Sequence, residues 1–522
     1  MSEDAAESSR HRGLSDHVAI LQAILMATFS VLPAFLLGAL AVGVRAEFGF
    51  GPQKLGLAVA WFFVTTSIGA TQLGKVVERL GVRTSLAIGA GGSATSMLGV
   101  AASGSYQWML VALTVGGLAN SVLQPAVNSA LSHRISPGHL GLAIGIKQSS
   151  IPAATLLGGL AVPTLGTTIG WRWTFAIAAG MAATAGLSSW FFGDRPPRFS
   201  GRITGRRGRR VAVPHVHSLV ILTVGGMLGA AAATSLGAFL VDAGVQVGIP
   251  EATAGLLFAG ASLWGLVIRI GLGWLADRYP TRSRYGTIML LLLLGAPGYL
   301  MLASGIGPAY VLGALLAYGA GWGWPGLFHF TVVSQYPDTP AAATGVIQSG
   351  VAAGAGLGPL LFGVIAGSFS YEAAWVMASA LSLLSATLFW IGRSHLRRSL
   401  SSVTSLVTGP SLPPRERWIS GPIHHEVAGV RVQEYAYEGG NLTLFHLGPD
   451  RTWTARSAVS NAIVILLEGE EVELQAGTLV DHPATGAGVA LPTGLLWTAT
   501  NRGPGQAVIA VLRAEHTLPP DT

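Results

Sequence analysis

Twelve long apolar runs, each separated from the next by a short polar or glycine-bearing stretch, occupy the chain up to about residue 393. They lie near residues 18–43, 54–74, 84–103, 108–131, 140–164, 172–193, 216–241, 252–275, 286–304, 309–333, 341–366 and 371–392. At about 1.5 Å of rise per helical residue, each can cross about 30 Å of hydrocarbon. The pattern predicts an all-α membrane region of twelve transmembrane helices. After Arg398 the rhythm shortens to runs such as Ala462-Ile463-Val464-Ile465-Leu466 and Val508-Ile509-Ala510-Val511, set between Gly, Pro and Asn turns. That spacing predicts an all-β unit.

The apolar pattern is duplicated. Gly74-Lys75-Val76-Val77-Glu78-Arg79-Leu80-Gly81-Val82-Arg83 and Gly273-Trp274-Leu275-Ala276-Asp277-Arg278-Tyr279 each follow an apolar run, about 200 residues apart. The same offset relates Pro125 to Pro325, Pro137 to Pro337, and Gly145-Ile146-Lys147-Gln148-Ser149 to Gly345-Val346-Ile347-Gln348-Ser349. Two six-helix halves repeated in parallel are the plan of secondary carriers that open alternately to either side. The division is a tail at 1–16, a six-helix bundle at 17–194 and a basic loop at 195–214. A second six-helix bundle at 215–393, a linker at 394–416 and a β unit at 417–522 follow. No cleavable signal is expected, because the first apolar run is too long for a signal-peptide core.

Composition sharpens this picture. Half of the residues are hydrophobic, 11% are charged and the mean hydropathy is +0.54, values that exclude an ordinary soluble domain. Cysteine is absent, which removes disulfides and thiolate metal sites. Basic residues gather on one side: Arg79 and Arg83, Arg134, the run from Arg195 to Arg210, Arg278 to Arg284, and Arg393 to Arg398. By the positive-inside rule those loops and both termini are cytoplasmic. The central basic run reads as an orienting loop drawn to anionic lipid rather than as a nucleic-acid patch. Arginine greatly outnumbers lysine, and Ala and Gly are abundant, which points to a bacterial inner membrane.

From the first span to about residue 393 the chain resembles the major facilitator superfamily. The loop pattern Gly-x-x-x-Asp-Arg-x-Gly-x-Arg/Lys is that family's marker. Its first copy here carries Glu78 in the acidic place and keeps Gly81 and Arg83; its second keeps Gly273, Asp277 and Arg278, with Pro280 in place of the second glycine. Gly170-Trp171-Arg172-Trp173-Thr174-Phe175 and the Gly-Ile-Lys-Gln string belong to the same resemblance. It implies gating roles for Glu78, Arg79, Arg83, Asp277 and Arg278, whose charges would latch neighbouring helix ends.

Few polar groups remain inside the apolar runs. Lys147 should face a cavity, or else snorkel to the headgroups. Arg269 resembles the arginine, four residues before the loop glycine, with which carriers of monocarboxylates and oxalate hold a carboxylate; the alternative is a cytoplasmic latch. A planar guanidinium and an ammonium from opposite halves could together hold one organic anion. No Asp or Glu lies well inside a run, Asp242 standing at an outer end, so proton-exchanging export of cations is disfavoured. His329 is the deep group that titrates near neutral pH, either a proton site or a packing residue. Asn120, Gln124 and Asn128 recur every four residues, for substrate contact or helix pairing, and Trp322 and Trp324, beside Pro325, could wall the site or pack at the outer end of the tenth run. Gln148 and Gln348, equivalent in the two halves, suit a bundle interface. Pro125, Pro152, Pro325 and Pro359 should bend their helices.

The C-terminal unit resembles a cupin, a small β-barrel. Leu467-Glu468-Gly469-Glu470 matches part of the first cupin motif, and Pro492-Thr493-Gly494-Leu495-Leu496-Trp497-Thr498-Ala499-Thr500-Asn501 follows the second, with Trp497 in the histidine position. The metal-binding histidines are missing, so neither metal nor cofactor is expected. A pocket of Trp453, Arg456 and Trp497 could take a small ligand, or the tryptophans could fill the barrel. The resulting expectation is a secondary carrier of a small organic anion, with lipid and small-molecule partners, proton coupling open, and no enzymatic activity. Efflux of a neutral or amphipathic compound, and a non-transporting sensor, are the alternatives.

Overall fold

The computed structural model describes residues 3–132, 140–192, 216–279, 283–336 and 339–404. It also describes 423–514 apart from connections at 428–429, 438–439, 448, 457–461, 469–471, 477–478, 482–487, 492–495 and 503–506. The first half contains α1 (Glu3–Ala39), α2 (Ala41–Phe48), α3 (Pro52–Leu80), α4 (Val82–Ala101), α5 (Tyr106–Ser132), α6 (Leu140–Gln148), α7 (Ser150–Ala161), α8 (Thr167–Ile169) and α9 (Trp171–Phe192). The second contains α10 (Val216–Gln246), α11 (Glu251–Arg278), α12 (Arg284–Ala303), α13 (Gly307–Leu316), α14 (Pro325–Gln335), α15 (Pro340–Ser368) and α16 (Tyr371–Thr404). Single π-turns at Val162–Gly166 and Ala317–Gly321 interrupt the fifth and tenth apolar runs.

Eight helical spans among the described residues are long and apolar enough to cross a membrane. The expected count was twelve. The tenth run falls short because the π-turn and the break at 322–324 leave α13 and α14 as separate short helices. Large apolar side chains coat the outer surface, among them Ile68, Leu98, Leu187, Leu263, Leu290 and Leu384, as a lipid-facing surface requires. Helix α16 runs to Thr404, past the start of the stretch read as linker.

Glycine does specific work at two places. Gly81, at φ 79°, is the only residue between α3 and α4, a conformation that L side chains rarely adopt. Gly56 on α3 crosses α15 so closely that a Cβ would lie 2.2 Å from the Pro359 carbonyl oxygen. At the repeat offset, Gly159 on α7 crosses α11, where a Cβ would lie 2.5 Å from the Ala259 nitrogen. The duplicated sequence thus produces duplicated helix crossings between the halves, with small residues at each.

The C-terminal strands are β1 (Ile423–Val427), β2 (Val430–Tyr437), β3 (Gly440–Leu447), β4 (Thr452–Arg456), β5 (Ala462–Glu468), β6 (Val472–Ala476), β7 (Leu479–Asp481), β8 (Gly488–Leu491), β9 (Leu496–Asn501) and β10 (Ala507–Ala514). They form two antiparallel sheets, β1-β2-β3-β10-β5-β8 and β4-β9-β6-β7. No closed barrel is seen among the described residues. Val432, Phe445, Val464, Leu474, Trp497 and Ile509 contribute to the core of this unit.

Candidate functional site

A proline and a helix break create the acceptors around which the central cluster is built. Pro152 has no N–H to bond the carbonyl four residues back, which leaves the Gln148 oxygen free at the α6–α7 junction. Arg269 Nη1 fills the vacancy at 2.6 Å. Pro325 likewise frees the Gly321 oxygen, which accepts from the Trp324 indole at 3.1 Å. The break beside it exposes the Trp322 oxygen, which accepts from Arg269 Nε at 3.0 Å and Nη2 at 2.7 Å. Arg269, 1% exposed, therefore uses three of its five N–H donors to tie α6 of the first half to the break before α14 in the second. Its Cζ lies 5.6 Å from the Trp322 ring centroid.

Beside this junction His329 on α14 joins both repeat glutamines. Its Nδ1 is 2.8 Å from the Pro325 oxygen and 2.9 Å from Gln148 Nε2; its Nε2 is 2.8 Å from Gln348 Oε1. A neutral ring protonated at Nε2 donates to Gln348 Oε1 and accepts at Nδ1 from Gln148 Nε2, whereas an imidazolium donates to the Pro325 and Gln348 oxygens together. Lys147, half-buried at the end of α6, and Arg269 both act electrostatically on this ring. Lys147 has no hydrogen-bond or ion-pair partner among the described residues, and no carboxylate pairs with Arg269. The result is a cluster of cationic and amide groups contributed by both halves.

Other sequence candidates lie apart from it. Trp324 is packed against Phe328 and Phe389 in the second half, with ring centroids 5.9 and 6.0 Å away; Trp322 is the tryptophan that meets Arg269. Asn120 Nδ2 donates to Thr66 Oγ1 at 3.3 Å and Gln124 Nε2 to Ser30 Oγ at 3.1 Å, both within the first half. Asn120 Oδ1 is buried without a hydrogen-bond partner among the described residues, and Asn128 is exposed.

At the loop-motif end, Asp277 Oδ1 accepts from the Gly141 amide at 2.8 Å and Oδ2 from the Leu142 amide at 2.7 Å, so α11 caps the N-terminus of α6. Arg278 is exposed beside Tyr279, and Arg83 is half-buried in the first turn of α4. The side chains of Glu78 and Arg79 lie outside the described residues.

The opposite end holds a group that sequence reading missed. Arg45 Nη1 donates to Asp242 Oδ2 and, at 2.9 Å, to Tyr371 Oη, which in turn donates to Asp242; Arg45 Nε donates to the Phe50 oxygen at 3.2 Å. Nearby, Glu47 accepts from the Trp171 indole at 2.7 Å and from Arg172 Nη2 at 2.6 Å. Hydrogen bonding from Arg172, helped by the Trp171 indole, holds the Glu47 carboxyl below the usual range against the opposing effect of burial.

In the β unit, Trp453 pairs with Ala499 and Trp497 with Ala455, placing both indoles on one face against Phe445, at centroid distances of 5.0 and 6.2 Å. Both indole nitrogens are buried without hydrogen-bond partners. Arg456 stands opposite Leu496, one register position out of step, and its side chain lies outside the described residues. Among the described residues no three His, Cys, Asp or Glu side chains gather as metal ligands.

Residues 18–348 match the family model described as Major Facilitator Superfamily. An uncharacterized MFS-type transporter of Mycobacterium tuberculosis is 24% identical over 336 residues, 62% of this chain and 73% of that protein. The tetracenomycin C resistance and export protein of Streptomyces glaucescens is 30% identical over 129 residues, 24% of each chain. Among solved structures, a bacterial homologue of the human lysosomal transporter Spinster, inward-facing and unoccupied, aligns with a TM-score of 0.60 at 16% identity, covering 74% of this chain and 98% of its own. The nucleoside transporter NupG, as a mutant, aligns with a TM-score of 0.57 at 12% identity, covering 72% and 99%. At these identities the two structures speak to the fold alone.

Proposed function

The chain belongs to the Major Facilitator Superfamily, a family of multi-pass membrane transporters and not of enzymes, and on that premise we propose that it carries a small organic anion by alternating access. The observation that supports this reading is the cluster at Lys147, Arg269 and His329, drawn from both halves, in which no carboxylate pairs with either cation among the described residues. Arg269 has two N–H donors left after its carbonyl bonds, and the unpaired Lys147 ammonium supplies the second positive group. Twelve spans, cytoplasmic termini, a cytoplasmic loop-motif end and a bacterial inner membrane complete the proposal. The β unit would be a metal-free, cupin-like binding or regulatory module using Trp453 and Trp497.

The matching experiment is thermal stabilisation of the purified full-length protein by a panel of small carboxylates, with Lys147→Met and Arg269→Lys in parallel. Stabilisation of the wild type by an acid, lost in Lys147→Met, supports the anion site; equal shifts in all three proteins, or none, reject it. Efflux of an amphipathic compound is the second reading. It draws on the local similarity to the tetracenomycin C export protein, and it gains if neutral aromatic compounds stabilise where acids do not.

A further inference from the structure

We propose that Asp242, Arg45 and Tyr371 form the external gate of this carrier and that Asp242 is where a proton enters the transport cycle. The inference rests on the alternating-access reading above but on different residues. Asp242 is 2% exposed, near the end of α10. It is tied across the molecule to Arg45 on α2, in the other half, and within its own half to Tyr371 at the start of α16. Opening this end means parting α2 from α10 and α16.

Charge makes that separation conditional. The Arg45 guanidinium is held to its own half by the Phe50 oxygen, so following Asp242 and Tyr371 as the halves part would break that bond. An ionised Asp242 would then be left without its cation in a largely apolar frame. Phe239 and Phe362 stack with centroids 4.6 Å apart, and each lies within 6.5 Å of the Tyr371 ring. An uncompensated buried carboxylate is costly, whereas a neutral acid loses only hydrogen bonds that water replaces. A proton added to a carboxylate oxygen of Asp242 forms an O–H bond and cancels the charge, and nothing else in the step is consumed. Among the described residues, the charged and titratable groups facing Asp242 are Arg45 on α2, Tyr371 on α16 and Tyr310 on α13. Tyr310 Oη already donates to the Leu240 oxygen at 2.7 Å. Because the neutral acid parts from Arg45 without leaving a buried charge, a proton bound from outside favours the open arrangement.

The absence of native cysteine makes the test direct. Thr234 is buried on α10, one turn before Ala238, which abuts Gly38 of the first half. Thr234→Cys in the full-length protein, reconstituted in vesicles, would be labelled from outside with an impermeant maleimide between pH 8 and 5.5. Each rate is normalised to the unfolded protein at the same pH. Labelling should rise as pH falls, by at most about tenfold per pH unit, the limit for one proton. Adding Asp242→Asn should give high labelling that no longer depends on pH, and Arg45→Gln should also raise labelling at pH 8. Retained pH dependence in Asp242→Asn, or a closed gate in both variants, overturns the proposal. If Asp242→Asn fails to fold, Arg45→Gln decides alone: labelling at the parent level at pH 8 overturns it. No substrate is present, so the result is independent of whether the carried compound is an anion.

Discussion

The two ends of the helical body are each tied across the halves by an aspartate, but the partners differ in kind. At the loop-motif end Asp277 accepts from the backbone amides of Gly141 and Leu142. At the opposite end Asp242 accepts from two side chains, Arg45 and Tyr371. A helix N-terminus offers backbone N–H donors that only proline would remove and that carry no titratable proton. A side-chain pair can be released by neutralising either partner. On the alternating-access proposal, the contrast would suit one end to a constant latch and the other to a gate that responds to conditions. Between them Arg269 adds a third tie, again to backbone oxygens.

The largest effect is expected at that middle tie. Arg269→Ala leaves the Gln148 and Trp322 carbonyls without partners and should cost about 3 kcal/mol of stability, since each orphaned buried acceptor costs about 1–3 kcal/mol. A lowered melting temperature of the purified protein would register it, and Arg269→Lys should recover only part. Next, Asp277→Ala should release the loop-motif end by about 2 kcal/mol, about a thirtyfold change in its open-to-closed ratio. Cysteine accessibility on that side would measure the change, while the opposite end stays pH-responsive. Lys147→Met should alter stability by less than about 1 kcal/mol, since it breaks no hydrogen bond, yet abolish stabilisation by carboxylates.

The smallest effect belongs to the partly exposed Glu47–Arg172 pair. Arg172 holds the Glu47 carboxyl below its ordinary 4.5, so the stabilisation is complete above that value and disappears as pH falls through the lower folded-state value. Exposed pairs contribute at most about 1 kcal/mol. The melting-temperature difference between wild type and Glu47→Gln should therefore be small at pH 7 and vanish once the pH falls below the lowered Glu47 value.

Much of the helical architecture was legible because a membrane demands long apolar runs and the gene carries them twice. The repeat offset even anticipates paired crossings such as Gly56 with Pro359 and Gly159 with Ala259. Arg269 and His329 stood out as rare polar residues in apolar surroundings. What Arg269 binds did not, because its acceptors come from distant breaks; Pro152, four residues after Gln148, was the available signal and was read only as a bend. Asp242 looked like a helix-end residue because its burial depends on Arg45 and Tyr371, which are far away in sequence. In the β unit, alternation indicated strands but not how they divide into two sheets, a matter of long-range pairing.

The most direct test of the central claim is uptake of a radiolabelled small carboxylate, the one that best stabilises the protein, into vesicles containing the full-length chain. The account predicts saturable uptake by the wild type and none above empty vesicles for Lys147→Met. Undiminished uptake by Lys147→Met would contradict it, as would failure of every carboxylate to enter while a neutral amphipathic compound is carried.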